Sequence, residues 1–140
     1  MSFYTEMIMP FPVDEKHILA TEKKLGVKFP AAFRAKMMTD NGGEVATPPD
    51  AWQLYPFFDT SDKKRLRRTC NDIARETASA KKWTGFPADA IAIGANGGGD
   101  QLILLPAGDS TTLGDEVYWW DHETGSVQKV ADDFGDLKVK

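Results

Sequence analysis

The sequence predicts an α+β fold, with helices in the first part of the chain and an antiparallel sheet in the second. Three observations predict it. Between Val13 and Trp83 the apolar residues recur at helical spacing. After Ala90 they alternate, or run as short apolar stretches bounded by turns. The third is the stretch Ile91-Ala92-Ile93-Gly94-Ala95-Asn96-Gly97-Gly98-Gly99-Asp100-Gln101-Leu102-Ile103-Leu104-Leu105, answered by Val117-Tyr118-Trp119-Trp120-Asp121-His122-Glu123. It reads as a strand, a glycine-rich turn, a second strand, and a third strand closing on charged residues.

Val13-Asp14-Glu15-Lys16-His17-Ile18 begins the first helix. Asp14 is placed to accept from a free backbone N–H, and Val13 and Ile18 are spaced as a hydrophobic staple. Ile18, Leu19, Glu22 and Leu25 continue the turn spacing, and Gly26 suits a left-handed stop. Pro30 fits the first turn of a second helix, whose apolar face is Phe29, Phe33 and Met37. Asn41-Gly42-Gly43 ends it, so the two helices form an αα-hairpin. Thr47-Pro48-Pro49-Asp50 is a turn, and Trp52-Gln53-Leu54-Tyr55 is a short strand that the following Pro56 assigns to a sheet edge.

Asp59-Thr60-Ser61-Asp62 offers N-caps for a long helix over residues 63–83. Its apolar face would be Leu66, Cys70, Ile73, Thr77 and Ala80. Lys64, Arg68, Arg75 and Lys82 would form a basic stripe opposite, within about 40° of one another at 100° per residue. Gly85-Phe86-Pro87 breaks this helix. Leu102-Ile103-Leu104-Leu105 is apolar on both faces and reads as a central strand. Pro106 to Gly114 is a polar loop, Glu123-Thr124-Gly125-Ser126 turns the chain into a strand over residues 127–131, and residues 132–137 suit one helical turn.

A chain of 140 residues fits one domain, residues 1–140, with a real core. No apolar run reaches the roughly 20 residues of a membrane helix. Met1-Ser2-Phe3-Tyr4-Thr5-Glu6 lacks a basic region followed by an apolar one, and the single Cys70 forms no internal disulfide; both favour the cytoplasm. The net charge of −4 is unevenly spread. Residues 62–82 hold eight Lys/Arg against three Asp/Glu, whereas residues 96–140 hold nine Asp/Glu against three Lys/Arg. The second segment either is ordinary surface or forms an acidic sheet end that attracts a basic partner.

The glycine run is a hairpin turn and not a phosphate loop, because an acid and a strand follow it where a Lys-Ser/Thr and a helix are needed. Asp121-His122-Glu123 invites a metal or catalytic reading, but zinc needs three or four converging ligands and the other histidine is His17, on the first helix. No nucleophile stands with a partner base. Cys70, on the apolar helix face, reads as a small buried hydrophobe, the alternative being a reactive thiol in the electropositive setting of the nearby arginines. The basic stripe lacks the interleaved aromatics that single-stranded nucleic acid would want. Tyr118 and Trp120 share one strand face and Val117 and Trp119 the other; one pair packs on helices, and the other either is covered or anchors a partner. No cofactor is expected, and the residue types point to a binding module.

Three segments together resemble the SUKH superfamily, which includes many bacterial immunity proteins and Smi/Knr-type fungal regulators of cell-wall synthesis. They are Ile18…Glu22…Leu25-Gly26…Phe29-Pro30…Phe33 ending in Asn41-Gly42-Gly43; Ile93-Gly94-Ala95-Asn96-Gly97-Gly98-Gly99-Asp100 with its strand; and Val117-Tyr118-Trp119-Trp120-Asp121-His122-Glu123 followed by Val130-Ala131-Asp132-Asp133-Phe134. The resemblance implies a single domain with an antiparallel sheet of about four to six strands packed on helices. It also implies a non-enzymatic role, binding a cognate toxin domain, in many cases a nuclease, and blocking it. The alternative is a regulatory or scaffold module like the fungal relatives. The residues expected to meet the partner are Asp100, Asp115, Glu116, Asp121, His122 and Glu123, with Tyr118 and Trp120 as candidate anchors.

Overall fold

Helix α1 (Glu15–Leu25) starts where the sequence places it: the Asp14 side chain accepts from Lys16 N, and Gly26 closes the helix at φ 70°, its N–H on the Glu22 carbonyl. Helix α2 (Ala31–Thr39) follows Pro30. Glu22 locks the pair into the expected hairpin. Its buried carboxylate accepts from Phe29 N at 2.8 Å and from Arg34 at 2.7 Å, while Arg34 also reaches Glu15 at 2.7 Å. The computed structural model describes residues 10–108 and 111–139, so the reading of residues 1–6 and part of the loop after Pro106 lie outside the described residues.

Among the described residues, seven antiparallel strands form one sheet in the order β6-β5-β4-β3-β2-β1-β7. They are β1 (Glu44–Thr47), β2 (Asp50–Leu54), β3 (Ile91–Ala95), β4 (Gln101–Leu104), β5 (Val117–Trp120), β6 (Val127–Ala131) and β7 (Lys138–Val139). Two short strands, β1 and the two-residue β7, enlarge the sheet beyond the expectation. They also correct the placement of the Trp52 strand. Because β1 pairs with β2 in register Val45↔Trp52, β2 is interior, and Pro56 lies just past its end, where no ladder bond is needed from it. The strand over residues 101–104 is interior, as expected.

The single long helix over residues 63–83 is two helices, α3 (Lys63–Arg68) and α4 (Ile73–Ala80). Asp62 caps the first and Asp72 the second, its side chain accepting from Arg75 N. Between them the Thr69 hydroxyl donates to the Arg65 carbonyl, and Ile73 N bonds to the Pro56 carbonyl instead of continuing the helix. A new N-cap in mid-segment overrides the apolar spacing. The basic stripe is divided accordingly: Lys64 and Arg68 lie on α3, Arg75 on α4, and Lys82 beyond its end. Cys70 falls in the break and is exposed, not buried. Ile73, Thr77 and Ala80 do face inward, and the Thr77 hydroxyl accepts from Ala92 N at 2.9 Å, docking α4 on β3.

The larger core lies between the helices and one sheet face, and includes Ile18, Phe33, Trp52, Ile93, Leu102 and Val117. Phe29 meets Phe57 edge-on at 5.1 Å, and Phe33 meets Phe134 edge-on at 5.0 Å, so the α2 face is pinned to the segment after β2 and to the 3₁₀ turn Phe134–Asp136. A second, smaller cluster of Ala90, Ile103 and Trp120, with Phe86, Leu105 and Tyr118 against it, covers the opposite face of β4 and β5. Alternation in β5 supplies both: Val117 and Trp119 go to the first cluster, Tyr118 and Trp120 to the second.

Candidate functional site

The register between β4 and β5 sets Gln101 opposite Trp120. One step further, Asp100 arrives across from Asp121. The turn before it is held by Asn96, whose side-chain oxygen accepts from Gly98 N at 2.9 Å and Asp100 N at 3.3 Å. Asp100 Oδ1 accepts from His122 N at 3.0 Å and pairs with His122 Nδ1 at 2.5 Å. Its Oδ2 accepts from Trp119 Nε1 at 2.9 Å and from Asn96 Nδ2 at 3.5 Å. Both carboxylate oxygens are thus occupied by donors. Beside them Asp121 Oδ1 accepts from Glu123 N and Thr124 N, shaping the β5–β6 turn, and Glu123 points its carboxylate into solvent.

The electrostatics of the pair follow from these contacts. Burial pushes the Asp100 carboxyl up. The hydrogen bonds from the His122 ring and backbone and from Trp119, with the imidazolium charge, more than offset that and hold it below its ordinary value. His122 is raised, chiefly by its hydrogen bond to Asp100. Desolvation opposes this, and the charges of Asp100, Glu123 and Asp121 add to it. Each group thus favours the charged form of the other, at one end of the sheet.

One ligand atom from each of Asp100, Asp121 and His122 lies within 4.8 Å of the others. The sequence offers Asp121-His122-Glu123 with no converging ligand from elsewhere in the chain; the hairpin register supplies Asp100, and Glu123 is not in the group. These atoms satisfy one another and the turn backbone. The geometry they build is a rigid acidic corner.

A second polar cluster was not foreseen. His17 Nε2, on α1, lies 3.1 Å from Ser61 Oγ and 3.3 Å from Asp59 Oδ1, and Asp59 is only 2 % exposed. Serine, histidine and aspartate meet here, but both contacts use the same ring nitrogen. A proton relay needs the hydroxyl on one nitrogen and the acid on the other. The Asp59 carboxylate also accepts from Ser61 N and faces Arg65 Nε at 3.8 Å. The cluster fastens α1 and α3 to the segment after β2. Its sequence signal was the Asp59…Asp62 run, read as caps only.

The predicted partner-facing residues do not form one patch. Asp100, Asp121, His122 and Glu123 come together. Asp115 and Glu116 precede β5, at the opposite end of that strand, six residues from Asp121 at about 3.3 Å each, or roughly 20 Å along the chain. Tyr118 is half-buried. Trp120 as an anchor is corrected: it is 1 % exposed, its Nε1 donates to the Gly85 carbonyl at 3.0 Å, and Phe86 packs edge-on against it at 5.1 Å. The loop after α4 folds back over it, bringing Trp83 and Phe86 onto that sheet face. The exposed aromatic of this corner is Trp83, which the sequence had placed at the end of the basic helix.

Gly99 makes the corner possible. Its φ is +104°, and a Cβ there would lie 2.9 Å from His122 Cε1 and 3.0 Å from both ring nitrogens. Gly99→Ala is therefore expected to push the imidazole off Asp100 and destabilise the fold by about 1–3 kcal/mol. An NMR titration of His122 in this variant should move back toward the ordinary imidazole value. An unchanged titration would show that the ring does not need this space.

The profile of the SMI1 / KNR4 family (SUKH-1) matches residues 12–138. Among curated proteins no sequence matches the chain. The matched span contains the αα-hairpin, all seven strands up to Lys138, and every residue of the acidic corner. The chain belongs to the SMI1 / KNR4 family (SUKH-1).

Proposed function

We propose that this chain is the immunity partner of a bacterial toxin: in the cytoplasm it binds a cognate toxin domain and blocks it by surface complementarity, without catalysis. The observation that carries this reading is the gathering of Asp121 and the exposed Glu123 beside the Asp100–His122 pair at one sheet end. A fixed acidic surface suits a nuclease-type toxin, whose own surface must be basic to hold nucleic acid, and it speeds encounter as well as selecting the partner. The SUKH resemblance supports the same role.

The test is to mix the purified protein with the toxin domain encoded beside its gene. Stoichiometric binding with loss of toxin activity is the expected result. Glu123→Lys combined with Asp121→Asn, which keeps the turn acceptor, should slow association about ten-fold at low salt and flatten its salt dependence. Unchanged association kinetics would place the toxin on another surface. A second reading, a regulatory scaffold, draws on α3, where five of the six residues Lys63–Arg68 are cationic and suit an acidic cellular protein. Capture of such a protein, with no toxin gene adjacent, would favour it.

A further inference from the structure

Three of the four tryptophans use their indole N–H inside the protein. Trp52 donates to the Thr47 hydroxyl at 2.6 Å, Trp119 to Asp100 at 2.9 Å and Trp120 to the Gly85 carbonyl at 3.0 Å. Trp83 differs. It is 51 % exposed, and its indole N–H has no acceptor among the described residues. Yet it is held firmly. Its ring stands edge-on to Trp120 at 6.4 Å and to His122 at 5.9 Å, with interplanar angles of 85° and 81°. Trp83 N bonds to the Ala80 carbonyl, and the Trp83 carbonyl accepts from Phe86 N. Both neighbouring rings are themselves fixed, one in the second core cluster and the other on Asp100.

A large, rigid, half-exposed indole loses little freedom on binding and offers both a π face and a donor. Its rim is charged on two sides. An Asp121 carboxylate oxygen lies within 4.8 Å of a ring nitrogen of His122, the ring that Trp83 meets, and the exposed Glu123 follows in the same turn, whereas Lys81 and Lys82 precede Trp83 as the chain leaves α4. On the β5 side three acids, Asp100, Asp121 and Glu123, stand against the one imidazole of His122, and the carboxylates it leaves unpaired select a cation. Between the two cationic side chains, arginine fits better: its planar guanidinium stacks on an indole and still directs N–H groups sideways to a carboxylate.

We infer that Trp83 is the apolar anchor of the docking face, and that it receives an arginine from the basic surface of a partner protein, with the guanidinium over the indole and its N–H groups on Asp121 and Glu123. The nature of the partner rests on the immunity reading; the contact itself does not.

Two measurements test this. In the first, hexa-arginine is titrated at low salt while the four indole N–H resonances are followed by NMR. The Trp83 signal should move most, hexa-lysine should move it less, and Trp83→Ala should weaken peptide binding at least five-fold. If the Trp83 signal stays still while other surface signals move, the inference is overturned. In the second, binding of the toxin domain encoded beside the gene is compared across variants. Trp83→Ala should weaken it about 30-fold or more, the loss expected of an interface centre. Trp83→Phe should restore part of it, and Leu19→Ala, at an exposed position on α1, should stay within two-fold. Equal binding by wild type, Trp83→Ala and Trp83→Phe would overturn the inference and leave the immunity reading standing. A Trp83 response to hexa-arginine with no toxin binding by the wild type would do the reverse.

Discussion

Replacing Trp52 with alanine is expected to remove about 3–5 kcal/mol of stability, the usual loss for a large aromatic cut from a closed core. The side chain is fully buried, on an interior strand of the sheet. Three things are lost together. The indole volume leaves a cavity that seven-stranded pairing gives little freedom to close. The Thr47 hydroxyl loses the donor that reached it at 2.6 Å. Trp119, which meets Trp52 edge-on at 5.1 Å, loses its support, and Trp119 is the residue that donates to Asp100. The expected reading is a large fall in the urea midpoint with an unchanged slope, together with a drift of the His122 titration toward its ordinary value. Trp52→Phe, which keeps most of the ring, should lose less on both. A loss below about 1 kcal/mol for Trp52→Ala would mean that the core repacks around the gap, which close-packed interiors rarely do.

The path from Trp52 through Trp119 to Asp100 explains why parts of this corner were legible in the sequence and parts were not. Alternation along Val117-Tyr118-Trp119-Trp120 shows two faces, and the glycine run shows a turn, so the strands and the position of Asp100 at a strand end follow from local pattern. Which aromatic pair lies under cover depends on the loop after α4 folding back across the sheet. Nothing in the spacing of residues 81–90 encodes that contact, and so the strand pattern makes Trp120 as eligible an anchor as any and gives no sign that Trp83 is the exposed ring. The break between α3 and α4 was more accessible. Thr69, Asn71 and Asp72 all favour caps and turns over helix interiors, but the apolar positions Leu66, Ile73, Thr77 and Ala80 keep a helical period across them. A period is blind to a cap that restarts the helix nearly in phase. Asp115 and Glu116 were grouped with Asp121 because sequence proximity hides strand length: a strand carries its two ends apart, and a charge count over the segment cannot see this. Strand β7 is too short, at two residues, for alternation to register, and it exists by pairing with β1 far back along the chain. Strand β1 is the first arm of a hairpin whose turn at Thr47–Asp50 is legible, but its Glu44-Val45-Ala46-Thr47 offers one large apolar residue and so no two-faced pattern.

Asp100→Asn is expected to cost about 2 kcal/mol near pH 5, since hydrogen bonds to a charged acceptor are worth roughly 1.5–3 kcal/mol and both oxygens here face donors. The amide keeps the shape but turns an NH₂ group toward the donors of either His122 or Trp119, so that one contact becomes donor against donor. The pH dependence separates this from a simple packing loss. His122 titrates above its ordinary 6.5 in the folded state, so its contribution is complete below 6.5 and disappears as pH rises through the raised folded value. Asp100 titrates below its ordinary 3.8, so its contribution is complete above 3.8 and disappears as pH falls through the depressed folded value. The stability gap between wild type and Asp100→Asn should therefore be widest between pH 3.8 and 6.5 and narrow on both sides. His122→Gln keeps a donor but removes the charge; it should abolish the alkaline narrowing and leave most of the acid one. A gap that stays constant from acid to alkaline pH would mean that the two groups do not act as an ion pair, and the acidic corner would then be held by packing and neutral hydrogen bonds alone.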